Sequence, residues 1–271
     1  MTATVSRADV LGHEVDRIGL EETVERCRAL IAGAESSHQV SLNAAKVVRA
    51  RSDKRLAEIL REAELLNADG KSIVWAARLL GDPLPERVAG IDLMFRLLDV
   101  AAREDLGVFF LGGRPEILET AMENVRSSYP DLRIGGFHHG YFGDSESADV
   151  CAAVNRAEVA ILFIAMSSPR KEYWAHEHRE RLAVPLVMGV GGAVDILAGS
   201  TSRAPAWMQR AGLEWAFRLV QEPRRLGPRY LVTNVLFLGL LLRALVQRVL
   251  RRFRPRGSAP AGLHPKKARS E

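Results

Sequence analysis

Short apolar runs rich in branched and aromatic residues alternate, between residues 39 and 190, with segments whose apolar positions recur every three or four residues. The first pattern predicts buried β-strands and the second predicts amphipathic helices. The predicted strands are 39–42, 64–67, 108–111, 132–137, 159–164 and 185–190. The helical patterns lie at 56–63, 91–102, 117–125 and 173–181. This alternation predicts an α/β fold with a Rossmann-like, mostly parallel sheet and flanking helices.

The C-terminal part of the chain follows a different pattern. Residues 230–242 are apolar, but Arg243 ends this run after 13 residues, fewer than the roughly 20 needed to span a bilayer. Arginines then alternate with apolar residues up to Phe253, which predicts a helix lying in the membrane interface. A terminal helix packed on the protein's own core and a tilted or re-entrant span fit the same pattern. We therefore predict a catalytic domain at 1–200, a helical, membrane-associating appendage at 201–254 and a disordered basic tail at 255–271.

The charge of the chain is concentrated in that tail. Residues 243–271 contain nine Lys or Arg against one Glu, a net charge of +8, so residues 1–242 carry −3 of the chain's +5. This distribution indicates an anionic membrane surface as a partner rather than nucleic acid. The two cysteines, Cys27 and Cys151, lack metal-ligand or redox spacing and indicate a reducing compartment.

Arginines, tryptophans and prolines cluster just before the apolar run. The cluster includes Arg203, Arg218, Arg225 and Arg229. Guanidinium groups bind phosphate and diphosphate through paired hydrogen bonds. Their position beside a membrane segment predicts a substrate with a phosphorylated head and a lipid tail, although a solvated basic hairpin has the same composition.

Glycine-rich turns follow two of the predicted strands, at the sheet edge where α/β folds bind ligands. Gly112 and Gly113 precede a predicted helix, so their backbone could approach an anion. Gly191, Gly192 and Asp195 could contact a nucleotide or form a tight turn with a capping Asp. Neither turn matches G-x-G-x-x-G, which argues against a dinucleotide site.

Polar residues follow the first two predicted strands. Asp69, in Asn67-Ala68-Asp69-Gly70, is a candidate general base, although an Asp-Gly turn explains the same residues. Ser41 and Asn43 could line the same crevice or act as turn and cap residues. Arg87 is a candidate anion contact or an ordinary surface arginine.

These motifs, in this order, resemble the WecG/TagA/CpsF family of bacterial glycosyltransferases. The resemblance runs from about Ser41 to Tyr230 through S-L-N, N-A-D-G, R-V-A-G-I-D-L, F-L-G-G-R-P, S-P-R-K-E, G-V-G-G-A-V-D-I-L-A-G, R-A-P-A-W, G-L-E-W-A-F-R-L and E-P-R-R-L. It implies a peripheral enzyme at the cytoplasmic face of the bacterial plasma membrane. Such enzymes transfer a sugar, with inversion and without a metal, from a UDP-sugar to an undecaprenyl-diphosphate-linked sugar.

The resemblance also assigns roles to residues. It implies that Asp69 is the general base, with Ser41 at a position where Thr is usual, and that Asn43 and Arg87 belong to acceptor-side motifs. Arg218, Arg225 and Arg229 fall in the appendage that supplies arginines to the active site. Lys171 stands where the family usually has Gln, and a cation at that position favours a uronic acid donor over N-acetylmannosamine or another hexose.

Two other functional classes remain open from the sequence. A non-catalytic, nucleotide-sugar-binding membrane adaptor would keep the glycine turns and the tail without needing Asp69. A nicotinamide-dependent oxidoreductase fits the strand alternation but lacks the dinucleotide fingerprint. We expect no cofactor and no metal, because the chain has no D-x-D motif, and a homo-oligomer remains possible.

Overall fold

The structure is a computed structural model that describes residues 5–253, except for the side chains of residues 225, 226, 229 and 251–253. The proposed basic tail at 255–271 lies outside the described residues. Within them the chain forms a two-stranded hairpin, a six-stranded sheet and twelve α-helices. The strands are β1 (Arg7–Val10), β2 (His13–Asp16), β3 (Ser37–Leu42), β4 (Leu65–Ala68), β5 (Val108–Gly112), β6 (Ile134–His138), β7 (Ile161–Ala165) and β8 (Leu186–Gly189). The helices are α1 (Leu20–Ala32), α2 (Ala44–Arg49), α3 (Lys54–Glu62), α4 (Lys71–Leu79), α5 (Gly90–Arg103), α6 (Pro115–Ser128), α7 (Ser147–Arg156), α8 (Arg170–Glu177), α9 (Ala193–Leu197), α10 (Ala206–Ala211), α11 (Glu214–Gln221) and α12 (Pro223–Phe253).

The central sheet has the order β4-β3-β8-β7-β5-β6, and every neighbouring pair is parallel. These are the six strands that the apolar runs predict, and the parallel α/β fold is confirmed. β3, β4, β5 and β7 are buried along their whole length. Burial on both faces explains why β5 and β7 read as continuous apolar runs, whereas β3 also buries Ser37, His38, Gln39 and Ser41.

Helices cover both faces of the sheet. On one face, α1, α5 and α6 bury Cys27, Leu97 and Met122 in a core cluster with Phe110 and Phe163. On the other face, α7 and α8 pack over the centre of the sheet, and α2, α3, α4 and α12 pack over β3 and β4. Their apolar residues recur at helical spacing because only one side of each helix meets the sheet.

The sequence patterns did not predict the β1–β2 hairpin. Its strands have only four residues each and include charged positions. The hairpin is held against β4 by Asp16, whose Oδ2 accepts a hydrogen bond from the Leu66 backbone N–H at 2.7 Å. The hairpin therefore lies beside β4, which is an edge strand of the sheet. Unpaired backbone groups on an edge strand can pair with another chain.

The predicted helix at 173–181 differs in detail from the structure. α8 begins at Arg170, and residues Arg179–Arg181 form a separate 3-10 turn.

The C-terminal appendage consists of α10, α11 and the long helix α12. Phe237 and Leu241 of α12 are buried in the same cluster as residues of β3, α2 and α4. By length and composition alone, Tyr230–Leu250 is long and apolar enough to cross a membrane, with a mean hydropathy of 1.7, and 11% of its most apolar window is buried. One side of α12 therefore packs on the catalytic domain, and the rest of its apolar surface faces outward. The division between the two parts near residue 200 stays a prediction.

Candidate active site

The candidate residues meet at the carboxyl ends of the parallel strands. After β3 the chain enters α2 on one face of the sheet, and after β8 it enters α9 on the other face. The connections of these two neighbouring strands thus leave toward opposite faces, which opens a crevice at their carboxyl ends, where open α/β sheets bind ligands. Ser41 and Asn43 lie at the end of β3, Asp69 follows β4, and Gly191 follows β8.

Asp69 is positioned by the strands beside it. Its backbone N–H donates to the Leu42 carbonyl at 2.7 Å, which extends the β3–β4 pairing to this residue. Gly70 then turns the chain into α4 with φ +116°, a conformation that favours glycine. Asp69 therefore belongs to an Asp-Gly turn and is also a candidate base, because this turn places its carboxylate at the sheet edge.

The charges around Asp69 suit a base that must be ionised. Burial raises the pKa of its carboxyl, whereas the cations of Arg87, Lys46 and Arg218 act in the opposite direction. The net pKa lies above the usual value of 3.8. A carboxylate with a raised pKa is a better proton acceptor than a freely solvated one.

Ser41 and Asn43 line the same edge, and both also have local structural contacts. Asn43 is the N-cap of α2, and its Oδ1 accepts a hydrogen bond from the Lys46 backbone N–H at 3.1 Å. This bond uses the amide oxygen and not the amide nitrogen, so a ligand contact of Asn43 stays a prediction. The Ser41 hydroxyl accepts from Gln39 Nε2 at 3.4 Å.

A buried charge cluster lies beneath these residues. Lys46 Nζ donates to the Ser41 carbonyl at 2.6 Å and pairs with Glu172 Oε1 at 2.8 Å. Lys171 Nζ pairs with the same oxygen at 2.5 Å. Burial alone would raise the pKa of Glu172, but the two ammonium groups outweigh burial and lower that pKa to about 2. Burial and the nearby Lys46 cation lower the pKa of Lys171 to about 8.

We expect Glu172→Gln to destabilise the fold strongly, because it leaves two buried ammonium groups without their shared counter-ion. Breaking a buried pair costs about 3–5 kcal/mol of unfolding free energy, measurable by urea denaturation at pH 7. Since the pKa of Glu172 is depressed to about 2 from 4.5, its contribution is present above pH 4.5 and disappears as the pH falls toward 2.

The matched control is Glu177→Gln on the same helix. Glu177 pairs with Arg55 at the surface, where both side chains are exposed, and such a pair contributes at most about 1 kcal/mol. Equal unfolding free energies for the two variants would contradict the role given to the buried cluster.

Reciprocal ion pairs join the appendage to the catalytic domain. Arg87 Nη1 of the domain bonds Glu214 Oε2 of α11 at 3.1 Å. Asp92 Oδ1 of α5 accepts from Arg203 Nη2 of the appendage at 2.5 Å. Because each side supplies one cation and one anion, these contacts hold α11 against the start of α5.

Arg218 lies one turn after Glu214 on α11, with its Nη2 3.8 Å from Glu214 Oε1. Arg203 Nε lies 3.7 Å from the same oxygen. Three arginines thus surround one buried glutamate near Asp69. The structure brings Arg87, Arg203 and Arg218 together around Glu214, and their binding of a phosphate stays a prediction. The side chains of Arg225 and Arg229 lie outside the described part of the structure.

The glycine turns lie at the ends of β5 and β8. Gly112 and Gly113 have φ of +129° and +80°, and the Gly113 N–H donates to the Ala165 carbonyl at 3.2 Å. That donor is therefore used within the fold, and anion binding at the start of α6 stays a prediction. Gly191 has φ +55°, Gly192 is the N-cap of α9, and Asp195 lies in the first turn of that helix.

Among residues 5–253, no group of three or more His, Cys, Asp or Glu side chains is placed to hold a metal ion. The positive charge at the sheet edge comes from lysine and arginine side chains.

Sequence reasoning missed four charged residues of this site. Lys46 lies outside the quoted motifs, and Glu172 lies in S-P-R-K-E without an assigned role; their burial identifies both. Asp92 and Glu214 lie in R-V-A-G-I-D-L and G-L-E-W-A-F-R-L without an assigned role, although the spacing of Glu214 and Arg218, four residues apart, is a signal for an ion pair on one helix face. Their partners come from distant parts of the chain, which a local pattern does not reveal.

Comparison with known proteins decides the class of this site. The family model of the glycosyl transferase WecG/TagA/CpsF family matches residues 8–251. The chain belongs to this family. It is therefore a glycosyltransferase, and the nicotinamide-dependent oxidoreductase is set aside.

Two relatives illustrate the similarity. A protein of Staphylococcus aureus (strain MW2) is 29% identical over 227 residues, which cover 83% of this chain and 89% of the relative. A protein of Bacillus spizizenii (strain ATCC 23059 / NRRL B-14472 / W23) is 33% identical over 177 residues, which cover 65% of this chain and 68% of the relative. Both relatives are named N-acetylglucosaminyldiphosphoundecaprenol N-acetyl-beta-D-mannosaminyltransferase.

Proposed function

We propose that this glycosyltransferase moves a hexose from a UDP-sugar to a sugar linked to undecaprenyl diphosphate, with inversion at the anomeric carbon, in the biosynthesis of a cell-surface polymer. The observation that carries the proposal is the position of Asp69 at the strand edge, within reach of the charges of Arg87 and Arg218. A base beside a phosphate-binding group is what such a transfer needs.

In the proposed reaction, an Asp69 carboxylate oxygen takes the proton of the acceptor hydroxyl. The freed oxygen attacks the anomeric carbon from the face opposite UDP, and the bond between that carbon and the UDP oxygen breaks. UDP leaves with the electron pair of this bond. Guanidinium groups near Asp69 stabilise the negative charge that develops on the diphosphate.

The proposed donor is UDP-N-acetylmannosamine. In the structure the Lys171 ammonium is buried and pairs with Glu172. Because it is buried and shares Glu172 with Lys46, it is less accessible to a donor carboxylate than an exposed cation would be. This supports a neutral sugar over a uronic acid, as do the names of the two relatives.

We further propose that the enzyme is a peripheral protein of the cytoplasmic membrane face, with α12 lying in the interface. The outward side of α12 exposes Leu231, Val232, Val235, Leu236, Leu238, Leu242, Val246, Val249 and Leu250. Its inward side buries Phe237 and Leu241 against the catalytic domain. A helix crossing the bilayer would lose that packing, whereas a helix lying in the interface keeps it.

The proposal is tested by incubating the full-length protein with UDP-N-acetylmannosamine and a short-chain polyprenyl-diphosphate-linked N-acetylglucosamine. We expect release of UDP that requires the acceptor. A nucleotide-sugar-binding adaptor would bind the donor without releasing UDP, so that outcome would favour the alternative class.

Removing divalent metals should leave this activity unchanged. The proposal assigns charge stabilisation at the diphosphate to arginine rather than to a metal, because the sequence has no D-x-D motif. UDP release would be compared with and without excess EDTA. A loss of activity that added Mg²⁺ or Mn²⁺ restores would contradict this assignment.

A further inference from the structure

The outward side of α4 carries an unusual set of exposed residues. Trp75 and Leu79 are 58% and 56% exposed, and Arg78 beside them is exposed as well. Lys71 lies one turn before Trp75 on the same side of the helix. The opposite side of α4 is fully buried and consists of Ile73, Ala76 and Ala77. We call Lys71, Trp75, Arg78 and Leu79 the α4 face.

The α4 face borders α12. Both helices pack on one core cluster, to which α4 contributes Ile73 and α12 contributes Phe237. They also meet directly, because Arg248 Nη1 of α12 donates to the Leu79 carbonyl at 3.2 Å. The exposed residues of the α4 face therefore lie on a helix that neighbours α12.

We propose that the α4 face binds the surface of an anionic phospholipid bilayer together with α12. Tryptophan is the residue that lies at the boundary of hydrocarbon and headgroups, and Leu79 adds apolar area beside it. Lys71 and Arg78 supply positive charge that matches anionic headgroups. This inference rests on the proposed peripheral location and identifies a second contact, made by the catalytic domain itself.

The contact would set the height of the reaction centre above the membrane. α4 begins directly after Asp69 and Gly70, and a helix rises about 1.5 Å per residue. Trp75 is the fifth residue of α4 and therefore lies about 6 Å along the helix axis from its start. A head sugar carried on a diphosphate could reach Asp69 from the headgroup layer without lifting its lipid out of the bilayer.

The first test compares vesicle binding of the full-length protein with that of Trp75→Ser/Leu79→Ser, in sedimentation with vesicles of equal phosphatidylglycerol and phosphatidylcholine. We expect at least a tenfold loss of partitioning for the double variant, because two apolar side chains leave the interface. Turnover of the water-soluble acceptor should be unchanged. The control is Tyr141→Ser, which removes a side chain that is 67% exposed and follows β6, at the other edge of the sheet from β4; its vesicle binding should equal that of the wild type.

The outcomes separate this inference from the proposal on which it rests. If the wild type does not bind vesicles, the peripheral location itself is wrong. If the wild type binds and the double variant binds equally well, only the role of the α4 face is overturned. If the double variant shows no melting transition, it has not folded. Trp75→Phe, which keeps an aromatic ring at the position, is then measured in its place.

Trp75→Phe also provides a second measurement. Vesicles that contain brominated lipid should quench part of the wild-type tryptophan fluorescence, and the variant should lack the part that belongs to Trp75. Equal quenchable fractions in the two proteins would show that Trp75 does not reach the lipid.

Discussion

Asp69→Asn is expected to lower turnover by roughly a hundredfold or more, the effect typical of a lost general base. The side chain keeps its size and position at the end of β4, but it can no longer accept the acceptor's proton. Binding of UDP and the melting temperature should stay close to the wild-type values. The change would be measured as UDP release at saturating donor and acceptor.

The pH profile gives an independent test of the same residue. The base works only when ionised, so wild-type turnover should fall as the pH decreases through the pKa of Asp69. Burial places that pKa above the usual 3.8, so the acidic limb should lie above that value. The residual activity of Asp69→Asn should lack this limb. Near-normal turnover of the variant, or an unchanged acidic limb, would exclude Asp69 as the base.

Arg218→Ala is expected to lower kcat/KM for the UDP-sugar by about tenfold to a hundredfold, because one charged donor to the diphosphate is lost. Arg218→Lys should recover only part of this loss, since an ammonium group cannot form the paired hydrogen bonds of a guanidinium. Initial rates with the water-soluble acceptor measure the effect without any contribution from membrane binding.

The matched control is Arg210→Ala, which removes an exposed arginine from α10 of the same appendage. It should leave kcat/KM nearly unchanged. If Arg210→Ala and Arg218→Ala lowered kcat/KM equally, the appendage would act through its overall charge. The position of Arg218 near Asp69 would then not contribute to catalysis.

The sheet was predictable because local chemistry dictates it. β5 and β7 are buried on both faces and consist of apolar residues, so each leaves an apolar run that a sequence pattern detects. The β1–β2 hairpin left no such run, since its strands have only four residues each and include charged positions. Its place beside β4 depends on contacts such as Asp16 with Leu66, fifty residues apart.

The site was predictable only where a residue follows a strand or belongs to a motif. Asp69, Ser41 and Gly191 fall at strand ends, and the sheet brings strand ends together. Lys46 and Glu172 are 126 positions apart in the chain, and their pairing follows from tertiary structure alone. The same holds for Arg87 and Glu214, whose contact joins the appendage to the domain. Polar partners of this kind have no periodicity that a sequence could show.

The central claim is tested most directly by analysing the product of the wild-type reaction with UDP-N-acetylmannosamine and the short-chain polyprenyl-diphosphate-linked N-acetylglucosamine. Mass spectrometry should show one added N-acetylhexosamine on the acceptor for each UDP released. NMR of the new linkage should show the anomeric configuration opposite to that of the donor. UDP release without a glycosylated acceptor, or a product that retains the donor's configuration, would contradict the proposed single displacement.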